Sequence, residues 1–125
     1  MRNHILTLLA ALSILVSMSS GSVTRDEFVK SMPENPDDAH SRTKLIDIWT
    51  NASRKTLGTE DDEVKIRIIS VPDNARIVMV RWISAETAVA QCENTQHRLL
   101  AFFIKEDGKW AFVRQYKMGS AKGKN

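Results

Sequence analysis

Two arginines interrupt otherwise apolar stretches of this chain, Arg81 within Val80-Arg81-Trp82 and Arg114 within Phe112-Val113-Arg114. A guanidinium in a partly dry cavity grips a carboxylate or phosphate through two parallel hydrogen bonds, and an unpaired buried charge is costly. Arg81 and Arg114 are therefore the candidate anion ligands, with Trp49, Trp82, Phe102 and Phe112 as the apolar lining of the same site. The competing reading turns both arginines to the wet face of an antiparallel sheet. For acid–base chemistry the side chains that could reach such a pocket are Asp47, His97 and Tyr116. No motif sets their mutual geometry, so no catalytic residue is assigned.

Other chemistries find less in the chain. His40 and Asp47 lie seven residues apart, but structural zinc takes four ligands and catalytic zinc three, which local spacing does not assemble here. Glu60-Asp61-Asp62-Glu63 lacks the spaced oxygens and central glycine of a calcium loop and reads as a solvated acidic linker. No metal and no cofactor is expected. Cys92 is the only cysteine, so no intramolecular disulfide forms and packing alone holds the core. That thiol is either a small buried hydrophobe in a strand or a reactive group.

The elements that would position these side chains begin after a leader. Met1-Arg2-Asn3-His4, the apolar run Ile5 to Val16 and the small-residue exit Ser17 to Ser22 form the three-part pattern of a secretory signal peptide. The run is short for a spanning helix, which needs roughly 20 apolar residues, so cleavage is expected, with an uncleaved anchor as the alternative. The chain divides into a signal peptide over 1–21, one domain over 22–118 and a flexible basic tail over 119–125, and a secreted or periplasmic location follows. Charge is uneven: ten acids against six bases from Ser22 to Glu63, then eleven bases against five acids from Val64 to the end. The bases are spread over several strands with little aromatic interleaving, which argues against a nucleic-acid partner.

Thr24-Arg25-Asp26-Glu27 is a capping box, with Val23 and Phe28 as its hydrophobic staple, so a short helix runs from Arg25 to Met32 and stops at Pro33. Asn35-Pro36-Asp37-Asp38 provides an N-cap, a proline at the first helical position and two acids for the helix dipole. The helix that follows carries Leu45, Ile48, Trp49 and Ala52 on one face, with Arg54 and Lys55 in its last turn and Gly58 as a left-handed cap. From Val64 the period falls to two. Strands are expected over Val64–Val71, Arg76–Ile83, Thr87–Glu93, His97–Lys105 and Trp110–Met118, with a turn at Pro72-Asp73-Asn74 and a tight hairpin at Glu106-Asp107-Gly108-Lys109. The fold class is α+β, with N-terminal helices packed on one face of a curved antiparallel sheet of four to five strands.

The stretch from Ile83-Ser84-Ala85-Glu86-Thr87-Ala88-Val89-Ala90 through Phe102-Phe103-Ile104-Lys105-Glu106-Asp107-Gly108-Lys109-Trp110-Ala111-Phe112-Val113 resembles the C-terminal half of the nuclear-transport-factor-2-like superfamily, which includes SnoaL-like members. It departs from that pattern in its short first helix and in having no hairpin before the long one. A cystatin-like sheet wrapped on one helix is the structural alternative. The resemblance implies a pocket between helix and sheet and admits isomerases, dehydratases and non-enzymatic adaptors alike. Apolar lining is plentiful and titratable pairs are scarce, so the favoured function is a non-enzymatic binding module for a small apolar or anionic ligand or a protein partner. A pocket-type isomerase or dehydratase is the alternative. The open sheet also admits a homodimer.

Overall fold

The computed structural model describes residues 23–35 and 37–121; the signal peptide expected over 1–21, the helical position expected for Pro36 and the end of the expected basic tail lie outside the described residues. Thr24 opens the first helix, α1 (Arg25–Lys30), with both halves of its capping box made: Thr24 Oγ1 accepts from Glu27 N, and Glu27 Oε1 accepts from Thr24 N, each at 3.1 Å. Val23 and Phe28, the staple pair, are both buried in one cluster.

The second helix, α2 (Ala39–Asn51), starts later than the Asn35 signal predicts. Its cap is Asp38, whose carboxylate accepts from His40 N at 3.1 Å, while Asn35 Oδ1 accepts from Asp37 N in a local turn before the helix. An Asx turn and an N-cap use the same side-chain chemistry, and Asp38 is the one that meets the helical run. The helix also ends earlier. Ala52 is already extended at φ −69° and ψ 148°, so Arg54 and Lys55 lie beyond the last turn and Gly58 does not cap it. Extension at Ala52 lets Ser53 reach Trp82, with which it exchanges two backbone hydrogen bonds of 2.8 Å.

The largest departure lies at residues 60–71. In place of an acidic linker and a first strand, the chain forms a third helix, α3 (Asp61–Arg67). The apolar alternation of Val64, Ile66 and Ile68 fits a strand, but only Ile66 is buried; Val64 and Ile68 are 64% and 78% exposed. Pro72–Asn74 forms the expected turn, with Asp73 and Asn74 at positive φ.

Four strands follow, β1 (Arg76–Ser84), β2 (Thr87–Glu93), β3 (His97–Glu106) and β4 (Lys109–Ser120), in an open antiparallel sheet of order β1-β2-β3-β4. Their limits fall within a few residues of the alternation pattern, except that β4 runs on to Ser120. Asp107 and Gly108 take φ 52° and 78°, as a two-residue hairpin between the paired Glu106 and Lys109 requires. β2 opens with four consecutive buried residues and β3 contains six. An antiparallel strand reads that way only when both faces are covered. On one face α1 and α2 bring Phe28 and Leu45 onto Val89, Phe102 and Tyr116. On the other, Ile66 of α3, with Ile69, Val71 and Ala75 of the chain after it, packs on Val80, Trp82, Phe103 and Trp110.

Candidate functional site

An open groove of about 230 Å³ lies between α2 and the end of the sheet remote from the β3–β4 turn. Ile46 and Trp49, one helical turn apart on α2, form one wall; Gln91, Arg98, Leu100 and Met118 rise from three neighbouring strands to form the other. The composition is mainly apolar with a single amide and a single cation. Arg98 faces Glu93 across the β2–β3 ladder, but the Glu93 carboxylate is held by Arg76 at 2.7 Å. The Arg98 guanidinium makes no hydrogen bond to a described residue, so its donors stay available to a ligand.

Trp49 also separates this groove from a second one. The Arg81 guanidinium stacks 4.1 Å from the Trp49 ring centroid and donates from Nη1 to the Trp49 carbonyl at 2.9 Å. Arg81 thus does not point freely into solvent; half-buried, it is tied to the α2 terminus. Beyond it, against β1, lies a groove of about 350 Å³ lined by Arg54, Glu63, Arg67, Met79, Val80 and Arg81. Arg114 occupies a comparable position on β4, half-buried with its guanidinium 5.5 Å from the Tyr116 ring centroid.

The four aromatic residues expected to line one pocket are divided between the two faces of the sheet. Trp49 and Phe102 belong to the α1/α2 face, where Phe102 meets Phe28 and Tyr116 edge-on at 6.2 and 5.8 Å. Trp82 and Phe112 belong to the opposite face, where Trp82 packs on Trp110 at 5.7 Å and Phe112 on Phe103 at 6.0 Å. Residues of odd and even number in one strand point to opposite sides, and the ladders align Trp82 with Ala88 and Ala88 with Phe103, so Trp82 shares its face with Phe103 and not with Phe102. Of the six, Trp49 lines the α2 groove and Arg81 the β1 groove.

The titratable candidates are equally separated. Asp47 and His40 are exposed on α2, and His97 sits half-buried at the start of β3. Tyr116 is buried; its hydroxyl donates to the Pro33 carbonyl at 2.7 Å, and burial pushes its ionisation above the ordinary phenol value against the opposing influence of Arg114. Cys92 is buried in β2, and burial raises its thiol to about 11, which makes it an inert hydrophobe at neutral pH. No group of three or more His, Cys, Asp or Glu side chains among the described residues is arranged to hold a metal ion.

One polar centre has no counterpart in the sequence reading. Asp62, taken there for part of a solvated linker, is fully buried. Its Oδ1 accepts from Trp110 Nε1 at 3.0 Å and from Lys105 Nζ at 3.3 Å, and its Oδ2 accepts from Thr59 N at 3.0 Å. Burial alone would raise this carboxyl, but the three donors and the Lys105 charge outweigh it and hold the group below its ordinary value. The carboxylate is thus fixed in its ionised form as a tie between α3 and the β3–β4 hairpin. Gly58 leaves room for it, since a Cβ there would collide with Asp62 Oδ2. Thr59-Glu60-Asp61-Asp62 has the spacing of a capping box, but the helix is capped at Glu60 without a side-chain hydrogen bond, and only the bond from Thr59 N to Asp62 Oδ2 forms.

Compared with known proteins, the chain matches no family model, no curated protein and no solved structure. Among the described residues no helix is long and apolar enough to cross a membrane.

Proposed function

We propose that this protein is a non-enzymatic binding module of nuclear-transport-factor-2-like type, secreted or periplasmic after loss of residues 1–21. Its ligand is a small molecule with an apolar body and an acidic group, taken in the groove beside Trp49. The observation that carries this reading is the composition of that groove: Ile46, Trp49, Leu100 and Met118 offer apolar surface, and Gln91 and an uncommitted Arg98 are the only polar side chains that meet it. Apolar walls with a few placed polar groups are the usual form of a small-molecule site. The helices-then-sheet order and the Asp107-Gly108-Lys109-Trp110 hairpin support the superfamily assignment.

Binding is favoured over an isomerase or dehydratase because an acid or base near neutrality must sit within reach of its substrate. Asp47, His97 and Tyr116 do not line the groove, Tyr116 is tied to Pro33, and Asp62 is held as a structural carboxylate. The test is titration of the secreted protein with decanoate and with decanol, followed by isothermal titration calorimetry, which reads wild type and variants alike. Saturable binding of decanoate is expected, weakened roughly tenfold by Arg98→Gln and by exchanging the carboxylate for an alcohol, as loss of one charge-assisted hydrogen bond implies. Binding that ignores both Arg98→Gln and Trp49→Ala would reject this site, and an intact mass that includes residues 1–21 would reject the proposed processing.

A further inference from the structure

The outer edge of β1 is occupied at both ends and open between them. Ser53 and Trp82 exchange backbone hydrogen bonds of 2.8 Å in both directions, so the Trp82 peptide groups point away from β2. Residues two apart in a strand face the same way, and the ladder pairs Val80 with Ala90 as it pairs Trp82 with Ala88. The Val80 N–H and C=O therefore also point outward, and no described residue pairs with either there. Further along, the register breaks between Ile77 and Met79, and the Arg67 guanidinium covers the bulge by donating to the Ile77 and Val78 carbonyls at 3.5 and 3.4 Å. A bulge and a charge across it are devices that block strand addition. The remaining gap is one residue long, too short for a peptide strand and suited to a compact ligand.

That gap opens into the groove of about 350 Å³. Its lining includes three cationic residues, Arg54, Arg67 and Arg81, against a single acidic one, Glu63. Glu63 pairs with Arg67 at 2.9 Å, Arg81 is turned to the Trp49 carbonyl, and Arg54 has no hydrogen bond to a described residue. We propose that the groove is a binding site for the dianion of a phosphate monoester, with the Val80 N–H and the Arg54 guanidinium as its principal donors. Three cations and one anion leave two positive charges to be matched, which a phosphate monoester does near neutral pH because its second ionisation lies near pH 6. Planar guanidinium donors and an outward backbone N–H fit its oxygens. The site is separate from the groove beside Trp49, and its test does not depend on that reading.

The experiment titrates the folded protein with phenyl phosphate and follows the backbone amides by NMR. A saturable shift of the Val80 amide is expected, with affinity rising from pH 5 to pH 7 as the phosphate ionises. Arg54→Gln, at an exposed position with no bonds to lose, weakens binding roughly tenfold without altering the melting temperature. Diphenyl phosphate, a monoanion, binds more weakly than the monoester. Sedimentation with phosphatidic acid vesicles identifies the source: binding that phenyl phosphate competes away points to a lipid headgroup, and binding of the free ester alone points to a soluble one. A Val80 amide that does not move, an Arg54→Gln protein that binds as the wild type does, or vesicle binding that phenyl phosphate leaves untouched would each overturn the proposal.

Discussion

One face of the sheet is covered by α1 and α2, whose fully buried Phe28 and Leu45 rest on an apolar surface centred on Phe102. The other is covered by a seven-residue helix and irregular chain, with Ile66 as its one fully buried apolar contribution and a buried aspartate beside it. The first face is sealed by area, since burying a large apolar side chain contributes about 1.5–3 kcal/mol. The second offers too little apolar surface on α3 for that and relies on directed bonds from Asp62 to Trp110, Lys105 and Thr59. A helix this short is marginal without tertiary contacts. A cover of area tolerates small shifts, whereas a cover of bonds fixes one position and fails when a partner is lost.

Substitution of one residue on each face tests the contrast. Asp62→Ala strips three donors of their acceptor and is expected to cost about 3–5 kcal/mol by chemical denaturation, the range for breaking a buried charged network. Phe102→Ala on the other face is expected to cost a similar amount as a cavity. If Asp62→Ala cost less than about 1 kcal/mol, the carboxylate would not be the tie described. The next effect is in pH dependence. The folded pKa of Asp62 lies below its ordinary 3.8, so its contribution is present above that value and lost as pH falls through the lower folded one. The stability gap between wild type and Asp62→Asn should thus be constant from pH 5 to 7 and narrow below about pH 4. A gap that did not change with pH would mean that the charge of Asp62 contributes nothing.

Gly58→Ala is smaller again, at about 2 kcal/mol, because the added Cβ displaces the Asp62 carboxylate by steric overlap. In an Asp62→Ala background most of that cost should vanish, and a double-mutant cycle measures it. The smallest effect belongs to the face sealed by area. Thr24→Ala removes half of the α1 capping box and should cost about 1 kcal/mol in a thermal melt, with no change in the protection of α3 amides.

The same division explains which elements could be read from sequence. The capping box at Thr24, the hairpin at Asp107-Gly108 and the alternation from Arg76 to Met118 are each complete within a few residues, so they survive without knowledge of the rest of the fold. The Leu45, Ile48, Trp49 face of α2 was legible for the same reason. Asp62 was not, because Lys105 and Trp110 lie 43 and 48 residues away. Without them an acidic run followed by alternating Val64, Ile66 and Ile68 looks like a linker and a strand. The helix there is a tertiary result, anchored by one buried carboxylate and one isoleucine. The grouping of the aromatic residues was not legible either, because the sheet divides Trp49 and Phe102 from Trp82 and Phe112. The groove that Trp49 does line is completed by Gln91, Arg98 and Met118, which no motif marks.

The order β1-β2-β3-β4 has a consequence for how the chain folds. Each ladder joins strands adjacent in sequence, so each closes a short loop at small entropic cost, and the β3–β4 ladder starts from a two-residue turn. The contacts of the N-terminal segment are of the opposite kind: the Arg25 bond to Phe112 and the Tyr116 bond to Pro33 span 87 and 83 residues. Such separations make local hairpins the faster events and docking of α1 and its following loop the slower one. Truncations of Phe103 and Phe112 should therefore slow refolding, while truncation of Phe28 should chiefly speed unfolding, and equal effects on the two rates would refute that order.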